Sequence, residues 1–339
     1  MPDDTLNLFD YVTDRVPVVV SGMSGLALER LEAAADKARD YAGKAKASNT
    51  LRNYRAAWDD FAAWCAAGGR TALPALPATL AMYLADRADT HKTATLQHRL
   101  AAISQAHQHA GFADLNPCRD PHVREVWKGI RRDKGTAPSR KTPVLTADLR
   151  RILAGLPRHR LIGRRDAALL LLGFTAALRR SELVALDVSH VEVTRDGLVV
   201  TIARSKTDGE GEGTTLGIPY TGDPESCPVR ALLAWLETAA ITEGPIFRGV
   251  NRHGRLAPKR LSDAAVAQIV QKHAGSLGLE AGRFGGHSLR AGFATSAAME
   301  DVPERDAMAH MRQKSVNVHH GYVRQANLFK RNPVARLGL

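Results

Sequence analysis

Cysteine is scarce in this chain. Its 339 residues hold three, Cys65, Cys118 and Cys227, an odd number set far apart. That excludes a disulfide framework and a Cys-x-x-Cys metal site, and leaves structural or free thiols. Long apolar runs are missing too. The most apolar stretch, Ala167 to Leu178, ends at Arg179, well short of the roughly 20 residues a helix needs to cross a bilayer. The amino terminus places Asp3, Asp4, Asp10 and Asp14 ahead of the short Val16 to Val20 stretch, the reverse of a basic leader followed by an apolar core. A cytosolic protein is therefore expected. There is no Walker-type phosphate loop and no clustered carboxylate triad, so nothing suggests bound nucleotide or metal. Internal repeats and long low-complexity segments are also absent.

Positive charge is abundant. A formal net charge of +12 favours a polyanionic partner, because cationic surface gains affinity by releasing counterions from phosphates. Charge alone leaves nucleic acid, anionic membrane and acidic protein open. The length predicts two compact units of roughly 100 and 200 residues.

Residues 1–44 read as an N-terminal segment, weakly ordered over its first 25 or so positions, with a helix at 26–42 rich in Ala, Glu and Lys. A stronger helix opens at Asn49 or Thr50 and carries Leu51, Tyr54, Trp58 and Phe61 as one apolar stripe, with Arg52 and Arg55 off it. Another is opened by Pro77 and Thr79. A third, from about Thr93, lines up Leu96, Leu100, Ile103 and His107. A fourth, near Pro121 to Arg132, ends in the basic run Lys128, Arg131, Arg132 and Lys134. Residues 135–143, with two prolines, a glycine and small polar residues, form the clearest linker. Its Arg140 and Lys141 continue the basic run, so the connection either follows a phosphate backbone or is simply a solvated charged linker.

The second half, residues 144–339, begins with a helix capped at Thr146 and a deeply buried helix from Asp166 to Leu178. At its end stand Arg179 and Glu182, neighbours on a helical turn, where a carboxylate can orient a guanidinium; as local sequence the pair also reads as an ordinary surface ion pair. The convincing β region is Val191 to Thr194, a turn at Asp196-Gly197, Leu198 to Ala203, and Thr214 to Pro219. Lys206 lies on the polar, glycine-rich loop between the second and third strands. Helices follow at Pro228 to Glu237 and Leu261 to Gly275. His287 and Arg290 then present an imidazole and a guanidinium at a helix start, where backbone N–H groups also favour an anion.

Arg179, Glu182, Lys206, His287, Arg290 and Tyr322, in this order, resemble the tyrosine recombinase and integrase family, which includes phage and integron integrases and bacterial chromosome-dimer resolvases. The family signature is Arg-x-x-Glu, a lysine on a β-hairpin, His-x-x-Arg, a histidine or tryptophan, and a tyrosine nucleophile. The local runs Ala-Leu-Arg-Arg-Ser-Glu-Leu, His-Ser-Leu-Arg-Ala-Gly and Gly-Tyr-Val-Arg are also similar to it. The resemblance implies a mainly α protein with a small antiparallel β-sheet, an α+β clamp around duplex DNA. Residues 45–134 would be a helical, SAM-like core-binding domain and 144–339 the catalytic domain. One position departs. Counting back nine residues from Tyr322 reaches Gln313 where the family has His or Trp, with His310 one helical turn earlier. The glutamine amide keeps an N–H donor, so weaker activity rather than none is expected. His319 and His320 read as solvated or DNA-contacting.

By the resemblance, Arg179 and Arg290 neutralise the phosphate with help from His287, which is also the base for Tyr322, and Lys206 protonates the leaving 5′-oxygen while Glu182 orients Arg179. Holding a free tyrosine, of pKa near 10, as phenolate at pH 7 costs about 4 kcal/mol, which neighbouring guanidiniums and an imidazole can offset. Tyr322 is the only tyrosine after Tyr220. No cofactor is implied. The implied partner is a double-stranded recombination site, bound by a monomer or weak dimer that becomes a tetramer in synapsis. The apolar residues Leu328, Phe329, Val334 and Leu337 would dock on a neighbouring subunit or pack in cis. Two other readings stay open: a nicking and closing topoisomerase, which the helical first domain and docking tail argue against, and an impaired DNA-binding protein, which Gln313 motivates. Arg52, Arg55, Arg131, Arg132, Lys134, Arg140 and Lys141 are the candidate DNA contacts. Affinity for duplex DNA is expected to fall steeply with salt, and a titration that stays flat between low and moderate salt would count against a DNA partner.

Overall fold

Apolar side chains recurring at spacings of three and four wrap most of the described residues into helices. A computed structural model describes residues 25–44, 48–137, 141–202 and 213–326, together with Val334 and Leu337. The expectations for residues 1–24 and for Arg140, Lys206, Leu328 and Phe329 lie outside the described residues. The chain divides into two units, Met1–Ser139 and Arg140–Leu339.

The first unit is helical: α1 (Gly25–Lys44), α2 (Ser48–Ala67), α3 (Pro77–Ala88), α4 (Thr93–His109) and α5 (Pro121–Lys134). The stripe on α2 buries Trp58 and Phe61, and α4 buries Leu96, Leu100, Ile103 and His107, the face its spacing predicts. His107 is a core residue. Its Nδ1–H donates to the Ile103 carbonyl at 2.8 Å while Nε2 accepts the Ala75 N–H at 3.0 Å. Burial pushes its pKa down, which keeps the ring neutral. Pro121 and the Asp120 side chain, which accepts the His122 N–H at 2.8 Å, start α5. That helix packs Val123, Val126, Trp127 and Ile130 inward and leaves Arg124, Lys128, Arg131 and Arg132 exposed.

The second unit is built around α7 (Leu161–Thr175), which follows α6 (Thr146–Ala154) and precedes α8 (Arg180–Ala185). From Arg165 to Phe174 every residue of α7 is buried. Strands β1 (Val191–Val193), β2 (Gly197–Ile202) and β3 (Thr214–Pro219) form an antiparallel sheet in that order. Leu198 pairs with Ile218 and Val200 with Leu216, so one face of the sheet joins the core. Gly197 is required in the turn: a Cβ there would lie 2.1 Å from the Ile218 carbonyl oxygen. After α9 (Pro228–Thr238) come β4 (Arg248–Val250), β5 (Leu256–Arg260), α10 (Asp263–Ser276), α11 (Ser288–Met299), α12 (Glu304–Met311) and α13 (Val316–Ala326). The fold is mainly α with small antiparallel sheets. No helix among the described residues is long and apolar enough to cross a membrane. The three cysteines are free thiols, with Cys65 and Cys227 buried.

Several expectations are corrected. Helix α7 starts at Leu161 rather than Asp166, and Asp166 is buried inside it, where it accepts from Arg165 Nε at 2.6 Å and meets His273 Nε2 at 2.7 Å. Asp166 looked like a helix start because its partner, His273, is remote in sequence. The same helix ends at Thr175 rather than Leu178, since Ala177 takes a left-handed conformation. Thr146 is the first residue of α6 and not its cap. The β4–β5 hairpin was missed because its strands are short, bulged and carry Pro258 and several cations in place of alternating β-branched residues.

Helix α11 is laid against the segment Thr142–Val144, with Thr142 N–H bound to the Arg283 carbonyl at 2.8 Å and Val144 N–H to that of Ser288 at 3.0 Å. The approach depends on Gly292, where a Cβ would lie 1.9 Å from the Val144 carbonyl oxygen. Gly292→Ala gains about 1 kcal/mol of helix propensity, but the backbone clash costs roughly 1–3 kcal/mol and nothing flexible can give way. The variant should melt below the wild type by thermal unfolding; an equal or higher melting temperature would show that this contact yields.

Candidate active site

Two helix ends frame the site, and both are closed in the same way. Beyond α7, Ala177 is left-handed at φ 46°, with its N–H on the Phe174 carbonyl at 3.0 Å and the Leu178 N–H on that of Gly173 at 3.2 Å. Beyond α12, Arg312 is left-handed at φ 53°, with its N–H on the Ala309 carbonyl at 3.0 Å and the Gln313 N–H on that of Met308 at 2.9 Å. This is the Schellman closure, usually made with glycine. Without glycine each closure costs roughly 1–2 kcal/mol. Helix C-termini carry partial negative charge, and Arg290, on α11, bridges the two. Its Nη1 donates to the Ala177 carbonyl and its Nη2 to the Met311 carbonyl, both at 2.6 Å. Burial, then the charge of Arg179, lowers its pKa to about 10, so it stays a cation at neutral pH.

Arg179 precedes α8 and is gripped by Glu182. One carboxylate oxygen accepts the Arg179 backbone N–H at 2.8 Å and the other accepts from Nη1 at 2.6 Å. The pair is no surface ion pair, because the Glu182 side chain is only 2 % exposed. A third member joins it: Arg312 Nη2 donates to Glu182 at 3.2 Å. Burial pushes the Glu182 carboxyl up, but the Arg179 N–H, its guanidinium and Arg312 outweigh that and hold it below its ordinary value. Arg312 also reaches the carbonyls of Ala176, Ala177 and His310.

His287 stands at the start of α11, in a turn fixed by the buried Ser288, whose Oγ accepts the Gly285 N–H at 3.0 Å. Its Nε2 lies 2.9 Å from the hydroxyl of Tyr322, on α13. The tyrosine ring is buried among Ala177, Ala291, Ala294 and Met311. His287 is exposed to solvent. The atoms packed round the ring, and then the charges of Arg290, Arg180 and Arg179, push its pKa below the ordinary value. Since solvent screens the packing effect at an exposed ring, the three arginine charges are the firmer cause. A neutral imidazole can accept the phenol proton.

Residues 144–327 match the model of the phage integrase family. The chain is 43 % identical over 311 residues, 91 % of each protein, to the integrase/recombinase xerD homolog of Selenomonas ruminantium. The chain belongs to the phage integrase family, the tyrosine-type site-specific DNA recombinases. It is also 28 % identical over 147 residues, 42 % of this chain and 44 % of the other, to tyrosine recombinase XerC of Thermodesulfovibrio yellowstonii. Among solved structures, it is similar in fold to XerH site-specific recombinase bound to palindromic difH substrate, at a TM-score of 0.61 and 14 % identity over 97 % of this chain and 93 % of that one. A lambda integrase dimer bound to a COC′ core site follows at 0.56 and 16 %, over 89 % and 82 %.

Within the integrase fold the remaining predicted residues separate. Gln313 follows the end of α12 and bonds through Oε1 to His319 Nδ1 at 3.2 Å. His310 turns elsewhere: its Nε2 meets the Thr175 carbonyl at 2.7 Å, its ring stacks on Phe293, and it lines an apolar cavity of about 390 Å³. His319 is not solvated but 1 % exposed, since α13 turns it inward, and His320 meets Glu304 at 3.1 Å. Lys206 falls between β2 and β3, outside the described residues. In the first unit Arg52, Arg55, Arg131 and Arg132 are exposed, whereas Lys134 is paired with Asp89 at 3.1 Å and Asp133 at 3.6 Å. Lys141 Nζ donates to the Gly282 carbonyl at 2.6 Å. Among the described residues no group of three or more His, Cys, Asp or Glu side chains is placed to hold a metal ion. Sequence reasoning missed Arg312 and the contact of His319 with Gln313. Neither lies in a periodic pattern, and the adjacency of Arg312 to Gln313 was the available signal.

The arginine charges around His287 have a measurable consequence. In the DNA-free protein its imidazole should titrate below the ordinary 6.5 or so, and Arg180→Gln, which removes one facing charge, should move it upward. An NMR titration of the ring checks both; a midpoint above 6.5, unmoved by the substitution, would contradict the placement.

Proposed function

We propose that this recombinase cuts and rejoins duplex DNA through a 3′-phosphotyrosyl intermediate formed by Tyr322. The observation that carries the reading is the Tyr322 hydroxyl 2.9 Å from His287 Nε2, beside the buried Arg290 and the clamped Arg179. His287 takes the phenol proton as Tyr322 Oη attacks phosphorus. A new P–O bond forms to tyrosine while the bond to the 5′-oxygen breaks. Arg179, Arg290 and the Gln313 amide donate to the nonbridging oxygens, where charge grows in the pentacoordinate state. Lys206 supplies the proton that leaves with the 5′-hydroxyl. Attack by a partner strand's 5′-hydroxyl reverses each transfer, and the bond energy kept in the adduct makes nucleotide hydrolysis unnecessary.

On this reading residues 45–134 are a core-binding domain, 135–143 a linker and 144–339 the catalytic domain. Arg52, Arg55, Arg131 and Arg132 contact phosphates, and a tetramer assembles on paired sites. XerH and lambda integrase, the structural relatives, were solved on DNA substrate sites, which supports a duplex partner here. The Gln313 amide replaces a ring donor with another N–H donor, so cleavage is slowed rather than abolished.

Incubation with nicked, labelled DNA in the absence of metal and ATP, followed by a denaturing gel and mass spectrometry, should give a covalent adduct at Tyr322 that Tyr322→Phe abolishes. Rejoining between two different duplexes separates a recombinase from a nicking and closing enzyme. DNA bound and recovered without any adduct would overturn the catalytic reading in favour of DNA binding alone.

A further inference from the structure

The amide of Gln313 has an acceptor on one branch and a donor on the other, so its usefulness to an anion depends on which branch faces it. With the oxygen towards a phosphate it repels; with the nitrogen it donates. The left-handed Arg312 sets the backbone of Gln313 but leaves the amide free to rotate about its last torsion. The side chain that contacts this amide is His319, in the first turn of α13. Its Nδ1 lies 3.2 Å from Gln313 Oε1, its ring is 1 % exposed, and it meets the Tyr322 ring edge-on, with centroids 6.4 Å apart. A buried neutral imidazole carries one proton. Held on Nδ1, that proton satisfies Oε1 and turns the NH2 group of the amide away from His319.

We propose that His319 is a positioning residue, which by donating Nδ1–H to Gln313 Oε1 fixes the amide with its NH2 presented to the scissile phosphate. The proposal rests on the reading of Gln313 as a phosphate donor given above. It explains how a glutamine serves where a ring donor is expected. A histidine or tryptophan ring has its N–H fixed by ring geometry, whereas a glutamine needs a second group to decide which end points where. Placing that group three residues before Tyr322, on the same helix, ties the orientation of the donor to the position of the nucleophile.

The test is single-turnover formation of the Tyr322 adduct on nicked DNA, with DNA affinity and thermal unfolding measured in parallel. Gln313→Ala should slow adduct formation by roughly 100-fold, the scale of one oriented donor to a developing oxyanion. His319→Ala should slow it roughly tenfold through misorientation at unchanged DNA affinity, and should add nothing in the Gln313→Ala background. His319→Asn, whose amide N–H falls where Nδ1–H was, should recover most of the rate. His319→Gln, whose amide falls where Nε2 was, should not. The last pair keeps the proposal testable if alanine unfolds the helix. Wild-type rates in His319→Ala, or a His319→Ala loss that persists undiminished in the Gln313→Ala background, would overturn the inference alone and leave His319 as packing for Tyr322. A wild-type rate in Gln313→Ala would overturn the donor reading and the inference together, while an adduct at Tyr322 would still stand.

Discussion

The site depends on one arrangement: the buried guanidinium of Arg290 fastened to the carbonyl ends of two helices. An unpaired buried cation is costly, and ordinarily a carboxylate would offset it. Here the direct partners are the Ala177 and Met311 carbonyls, each at 2.6 Å, with the partial negative charge that helix C-termini carry, while the Glu182 carboxylate acts only from beyond hydrogen-bond contact. The charge is stabilised without being neutralised. A carboxylate in the same place would cancel the field that a phosphate needs, whereas carbonyl dipoles leave it available.

The second consequence is architectural. Because the two carbonyls belong to the ends of α7 and α12, one side chain from α11 fixes the relation of three helices. Arg179 follows the first end, Gln313 follows the second, and His287 stands at the head of the bridging helix. Tyr322 then packs on Ala177, Ala291 and Met311, residues adjoining the same junction. His287 and Tyr322, the proposed proton acceptor and nucleophile, are therefore set by one packing arrangement. The same crowding of arginines that serves an anion keeps His287 unprotonated, so anion affinity and a ring free to take a proton come from a common cause.

Much of this was legible in the sequence, for reasons that also mark its limits. The helical spacing of Leu96, Leu100, Ile103 and His107 predicted a buried face because the period is local. Arg179 and Glu182, or His287 and Arg290, could be paired for the same reason: three residues apart means one turn. Contacts remote in sequence were invisible. Asp166 looked like a helix start because nothing nearby announces His273, and Arg312 went unnoticed because Glu182 lies far upstream. His319 was read as solvated or DNA-contacting because the helix that turns it inward is set by Tyr322 and Met311 rather than by its own apolar period. Strand signals failed where β5 carries Pro258 and cations.

The position of Gln313 shows how a departure from a family pattern can be absorbed. Arg312 stops α12 in a conformation that favours glycine, and the strain of roughly 1–2 kcal/mol is opposed by the bonds its guanidinium makes to Glu182 and to the carbonyls behind Arg179. Arg312 therefore works in two directions, setting where the next residue begins and bracing the carboxylate that holds Arg179. A glycine there would relax the backbone but release that brace, and, on the proposed reading of Gln313 as a phosphate donor, a histidine at position 313 would need no partner at position 319. The residues at 312, 313 and 319 make physical sense as a set: a strained arginine that braces the first guanidinium, an amide in place of a ring, and a buried histidine against that amide.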